Sequence, residues 1–183
     1  MRQTIRLYAS TGEVKTPAER ISEVEERYRE GFRAVKLQVH AFDEAEDIRH
    51  VVETARAVGD RVKVGVDANQ GWRVTIVSDA LLWDLARAER LAEAYANAGV
   101  AWIEEPLPMD GYDDLAALTA YSQIPIAGGE LVGGSGRPRS RSSWSRAAAR
   151  KGLLCTARTR DTEADGTSRR GLRIIVRHQA CQP

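Results

Sequence analysis

The sequence predicts an α/β fold: a partial (β/α) barrel of the TIM type, about five βα units long, followed by an irregular basic tail. Three observations predict it. Short apolar runs alternate with amphipathic segments through residues 1–134. The units recur near the spacing of ~31 residues that eight units sharing ~250 residues would have. Polar groups, acids above all, stand at the carboxyl ends of successive strands. An open doubly wound sheet would share the alternation. Its usual nucleotide signals are missing, because no Gly-x-Gly-x-x-Gly follows the first strand. Gly128-Gly129 and Gly133-Gly134 come too late and lack the Lys-Ser/Thr of a phosphate-binding loop.

Residues 5–9 read as a first strand, closed by a turn at Thr11-Gly12. Thr16-Pro17-Ala18-Glu19 has the form of a capping box with Pro at the first helical position, and Ile21, Val24 and Tyr28 follow at helical spacing up to Gly31. Residues 34–39 are a second strand. Asp43 with Glu46 caps a second helix that places Ile48, Val51, Val52, Ala55 and Val58 inward and stops at Gly59. Residues 62–67 form a third strand. After a loop, residues 78–98 put Leu81, Leu85, Ala88, Ala92 and Tyr95 on one helical face, ending at Gly99. Residues 101–105 are a fourth strand, 112–121 a short helix and 124–128 a fifth strand. Strands alternating with helices in this way pair in parallel through right-handed crossovers.

The 183 residues carry a formal charge of +1, which conceals two opposite halves. Residues 1–134 hold 15 Lys/Arg against 23 Asp/Glu, a net of −8, whereas residues 135–183 hold 12 against 3, a net of +9. No run approaches the ~18 apolar residues of a membrane span, and no signal segment follows Met1. The expectation is a soluble, cytoplasmic chain with no membrane partner. Cys155 and Cys181 both lie in the basic part without metal-ligand spacing, which excludes a zinc site or a disulfide scaffold built on them.

The strand ends carry the chemistry. In chain order they read Lys36-Leu37-Gln38, Asp67-Ala68-Asn69-Gln70, Glu104-Glu105-Pro106 and Gly129-Glu130. Asp67, Glu104 and Glu130 lie 37 and 26 residues apart, roughly one unit each, so three successive strands would present one carboxylate each to the same mouth. Three unpaired carboxylates sharing a small space require a cation. All-oxygen donors favour Mg²⁺, or Mn²⁺ in its place, over zinc. Glu104 is taken as the inward acid and Glu105 as the outward one, since successive strand residues face opposite ways. Lys36, Gln38 and Asn69 are the candidate catalytic residues at the mouth. Each acid alone is also readable as a helix-capping loop residue, and Lys36 as a solvated strand-end lysine. The ordered set of three acids favours the metal.

Four segments carry a family resemblance: Gly31-Phe32-Arg33-Ala34-Val35-Lys36-Leu37, Val66-Asp67-Ala68-Asn69-Gln70-Gly71-Trp72, Trp102-Ile103-Glu104-Glu105-Pro106-Leu107 and Pro125-Ile126-Ala127-Gly128-Gly129-Glu130. In this order they resemble the enolase superfamily, and within it the mandelate racemase and muconate lactonizing enzyme group with its acid-sugar dehydratases. The resemblance spans residues 4–134. It implies a barrel in which Asp67, Glu104 and Glu130 hold Mg²⁺. The metal would grip a small-molecule carboxylate, an acid sugar or α-hydroxy acid, while a base removes the proton beside it. Many members of the group carry Lys-x-Lys where this chain has Lys36-Leu37-Gln38. Gln38 has no useful pKa, so a racemase with bases on both faces is disfavoured and a dehydratase favoured. His40, past a strand end, and His178, in the tail, are weak candidates for the missing base, and His50 reads as a helix-surface residue. The chain opens on the first barrel strand, so the expectation is that the family's lid domain is absent from it. Five strands leave sheet edges open to aggregation or to pairing with another chain, and so to a homo-oligomer. The expectation is a fragment of such an enzyme, inactive as this chain stands.

Residues 135–183 are rich in Arg, Ser, Ala, Thr and Gly, with one strand-like run at 172–176 and a short helical stretch at 147–154. A basic tail could bind nucleic acid on a non-enzymatic scaffold, although Trp144 is its only aromatic for base stacking. It also reads as a plain disordered tail. The favoured reading is an out-of-frame continuation. In a GC-rich gene, Arg-Ser alternation written AGG-TCG re-reads as Val and Glu codons.

Overall fold

The computed structural model describes residues 7–39, 43–71, 82–108 and 110–128, together with the backbone of 172–174. Within them the strands are β1 (Leu7–Ser10), β2 (Ala34–Gln38), β3 (Lys63–Asp67), β4 (Trp102–Glu104), β5 (Ile126–Ala127) and β6 (Leu172–Ile174). The helices are α1 (Pro17–Arg29), α2 (Glu44–Val58), α3 (Leu85–Asn97) and α4 (Tyr112–Tyr121). The sheet order is β5-β4-β3-β2-β1-β6. The first five strands pair in parallel with their chain neighbours, and the helices link them, as the alternation predicts. The architecture is that of a partial TIM-type barrel. β6 pairs antiparallel with β1, Tyr8 opposite Arg173, so part of the run at 172–176 is a strand.

The helix starts have local causes. At α1, Thr16 accepts from the Glu19 amide and the Glu19 carboxylate accepts from the Thr16 amide at 3.0 Å, with Pro17 at the first position. At α2, Asp43 accepts from the Ala45 amide at 2.8 Å. Gly59, at φ +53°, ends the helix in a region that L side chains rarely adopt. The third helix starts later than the periodicity suggests. Asp84 accepts from the Arg87 amide at 2.8 Å and sets the first turn at Leu85, while the Trp83 amide is already bound to the Gln70 side chain. Residues 78–81 lie outside the described residues.

Alternation along each strand sorts side chains onto two faces. One face presents Ala9, Val35, Leu37, Val64, Val66, Ile103 and Ile126 to the inward residues of the helices, among them Val24, Val51, Leu91, Tyr95 and Leu118. That interface is the apolar core. The other face carries Tyr8, Lys36, Gln38, Gly65, Asp67, Trp102 and Glu104.

Between α1 and α2 the expected surface position of His50 is corrected. His50 is buried, and its Nε2 accepts from Arg20 Nε at 3.2 Å; Arg20 is fully buried and also donates to Glu23 and to the Glu13 carbonyl. Sequence position alone reads His50 as a surface residue, but Arg20 supplies its polar partner under the helix pair. No helix among the described residues is long and apolar enough to cross a membrane.

Candidate active site at the carboxyl ends of the strands

Strand register brings the candidate residues together. Gln38 pairs with Asp67 and Asp67 with Glu104, so three neighbouring strands end at one level. Lys36 lies two residues before Gln38 and therefore on the same face. Its Nζ donates to Asp67 Oδ2 at 2.6 Å and to Glu104 Oε2 at 2.9 Å. Lys36 and Glu104 are each 1% exposed and Asp67 5%. Lys36 is thus not a solvated strand-end lysine. Alternation turns it away from the helices, and the two acids of the next strands satisfy its charge. Burial works against the ammonium, but the Asp67 and Glu104 carboxylates outweigh it and raise its pKa above the ordinary lysine value.

Aromatic rings floor this cluster. Tyr8 and Trp102 meet edge to face at 5.7 Å, and the Lys36 ammonium lies 5.7 Å from the Tyr8 ring centre. Gly65, between Lys36 and Trp102 in the register, makes room for the indole: a Cβ there would fall 2.1 Å from the Trp102 ring.

The turn after β3 fixes the Asp67 carboxylate. Asn69 adopts φ +49°, which Asn tolerates better than most side chains, and its amide donates to Asp67 Oδ1 at 3.1 Å. One oxygen of Asp67 is therefore held by this turn and the other by Lys36. Gln70, buried, accepts the Trp83 amide at 2.8 Å and ties the turn to the start of α3. Sequence reasoning also passed over Thr11, taken only as a turn residue. It is buried, its hydroxyl donates to the Lys36 carbonyl at 3.0 Å, and it accepts the Gln38 amide at 3.2 Å, fixing the end of β2. A hydroxyl one residue beyond a strand was the signal available for it.

Glu105 does not continue the strand. Its φ of +50° breaks the alternation used to assign it an outward direction, and it is buried at 6% exposure.

The donor chemistry fits a hard divalent cation, since Asp67 and Glu104 offer buried carboxylates converging on one positive group. Among the described residues no three metal-ligating side chains assemble. The third acid of the expected set, Glu130, lies outside them, as do His40 and His178.

The family described as enolase C-terminal domain-like matches residues 19–139. D-galactarolactone cycloisomerase of Agrobacterium fabrum is 32% identical over 133 residues, covering 70% of this chain and 32% of that protein. L-talarate/galactarate dehydratase of Salmonella typhimurium is likewise 32% identical over 133 residues, covering 72% and 31%. The structure of a Streptomyces coelicolor A3(2) racemase with bound magnesium superposes with a TM-score of 0.59 at 29% identity, over 68% of this chain and 34% of that one. The chain spans about a third of the length of the curated relatives it matches. Similarity to a cycloisomerase, a dehydratase and a racemase identifies the scaffold without choosing a reaction. The chain belongs to the enolase C-terminal domain-like family, in the mandelate racemase/muconate lactonizing enzyme group of the enolase superfamily.

Proposed function

We propose that this chain carries the metal-binding mouth of an enzyme that abstracts the proton α to a carboxylate, with acid-sugar dehydration favoured over racemization. The convergence of Asp67 and Glu104 on one cation at the strand ends supports the reading. Asp67 and Glu104, with Glu130 as the third ligand, would hold Mg²⁺. Bound there, the ion supplies positive charge where the substrate carboxylate gains electron density as the proton leaves. The protein's own groups do the rest. Asn69 and the turn after β3 orient Asp67. Lys36 neutralises part of the acids' charge in this structure, and would face an acid-sugar or α-hydroxy-acid anion as a positive charge once a cation takes its place on Asp67 and Glu104. Gln38 can hydrogen-bond a substrate hydroxyl but cannot take a proton. A base on one face suffices for dehydration, whereas a racemase needs one on each, and Gln38 stands where the second would be.

The experiment has two arms. Binding of Mg²⁺ or Mn²⁺ by the full chain, followed by titration calorimetry, is expected and should weaken in Asp67→Asn and Glu104→Gln. Proton exchange beside the carboxylate of a panel of acid sugars, with Mg²⁺ and with EDTA, should stay at background for this chain alone. Metal binding unaffected by both substitutions would overturn the site assignment; turnover would overturn the inactivity.

We also propose that the family domain runs to about residue 134 and that residues 135–183 arise from a shifted reading frame. The family match ending at residue 139 and the inversion of charge from −8 to +9 support this. Reading the gene in all frames tests it. Further strands and a His should follow codon 134 in another frame, and their absence would end the idea.

A further inference from the structure

We propose that Glu105 is a positioning residue: its carboxylate, packed on the turn after β3, and its backbone, bound to the end of β5, clamp that turn across β4 so that Asp67 and Glu104 converge.

Three observations meet at this residue. Its backbone is held on both sides, with its amide donating to the Ala127 carbonyl at 2.9 Å and its carbonyl accepting the Gln70 amide at 2.8 Å. Its φ of +50° places a residue with a Cβ in the left-handed region, a strained conformation that persists where the surroundings enforce it. Its carboxylate lies directly on Gly71, where an added Cβ would fall 1.7 Å from Oε2, and it reaches toward Gly128, where an added Cβ would meet Oε1 at an ordinary 3.5 Å. Gly71 has no left-handed φ to explain it; the explanation is space for the carboxylate.

The consequence follows from connectivity. Glu105 adjoins Glu104 along the chain, and Gly71 closes the turn Asp67-Ala68-Asn69-Gln70 whose amide at Asn69 holds Asp67. A residue whose carboxylate is seated on Gly71 and whose amide is bound to Ala127 therefore fixes both converging acids at once. In a strand that kept its alternation, the same side chain would face the apolar helices, where a carboxylate is costly to bury. The left-handed residue instead delivers it to the mouth. Partners that orient metal-binding groups commonly matter 10–100-fold for affinity.

This inference rests on the metal-site reading above, and the test separates the two. Mn²⁺ affinity and the Mn²⁺ electron-paramagnetic-resonance spectrum of the full chain are measured for the parent, Glu105→Gln, Glu105→Ala, Gly71→Ala and the Gly71→Ala/Glu105→Ala pair. Thermal melting is followed in parallel. The expected result is a loss of affinity of roughly 10–100-fold in Glu105→Ala and a broadened spectrum. Glu105→Gln, of the same shape, should restore most of the affinity. Gly71→Ala should be damaging alone and milder once Glu105 is Ala, since the methyl then enters vacated space. A parent chain that binds no Mn²⁺ would sink the site reading itself, and melting of the Gly71/Glu105 pair would then decide the clamp by its coupling. A parent that binds, with Glu105→Ala lowering the melting temperature but leaving affinity and spectrum unchanged, would reduce Glu105 to a packing residue and overturn the proposal.

Discussion

The two faces of the sheet are made from the same strands and differ in almost everything else. Leu37 lies in the apolar core under the helices, while its neighbours Lys36 and Gln38 face the opposite way; Val66 and Asp67, and Ile103 and Glu104, repeat the arrangement. Tyr8 and Trp102 are buried too, yet belong to the second face, flooring the Lys36–Asp67–Glu104 cluster. One-residue alternation thus separates the residues that hold the fold from those that carry charge. It also makes register unforgiving, because a slip of one residue would put three ionic groups under the helices. Substitutions on the helix-covered face should change stability identically with and without divalent metal. Those on the charged face should change it in a metal-dependent way.

The largest effect is expected at Lys36. Lys36→Met removes the ammonium that both acids share, and breaking a buried ion pair by deleting one partner costs about 3–5 kcal/mol. Denaturant melts should show this loss in EDTA and a substantial recovery in Mg²⁺. A loss of the same size in both conditions would deny the charged face its metal-dependent character. On the other face, Leu91 is fully buried in α3, and Leu91→Ala should cost about 2–5 kcal/mol, unaltered by Mg²⁺.

Acid tests the helix layer without any substitution. Burial, and secondarily the Arg20 charge, push the His50 pKa down from 6.5 to about 4. The imidazole must stay neutral to accept from Arg20, so its contribution is fully present above pH 6.5 and is lost as pH falls through the range toward 4. The loss amounts to about 3 kcal/mol at most, from 2.5 pH units at 1.36 kcal/mol each. Melting curves between pH 7 and 4 measure it. His50→Gln keeps an acceptor for Arg20 without titrating, and should flatten this part of the profile while leaving the metal response of the charged face intact.

Local signals made much of this layout legible. The helix caps, stop glycines and strand order are written within a few residues of where they act, and the order of polar strand ends marks the candidate site. What escaped the sequence was encoded at long range or against a rule. His50 looks like a surface residue until α1 and α2 pack, because its partner Arg20 lies 30 positions away. Thr11 gains its role only when it meets β2, 25 residues on. Strand alternation turns Glu105 outward, a rule that lapses at a left-handed residue. Apolar spacing continues upstream of α3 and points to an earlier start, whereas Asp84 and the Gln70 side chain decide where the first turn closes.

The smallest of the expected effects is also the most local. Thr16→Ala removes the hydroxyl that accepts from the Glu19 amide and donates to the Glu19 carboxylate at 2.7 Å, ending the reciprocal box at the start of α1. Loss of such a cap costs about 1 kcal/mol. Because α1 packs on α2 over the apolar face, the cost should appear in thermal melts and be the same with EDTA as with Mg²⁺. Thr16→Asp restores an acceptor for the Glu19 amide and should recover part of the loss, but not all, since the hydroxyl donor is gone and two carboxylates would then face one another. A metal-dependent change at Thr16 would mean that the two faces are coupled through α1, and the separation drawn from strand alternation would have to give way to a network reaching from the helix cap to Lys36.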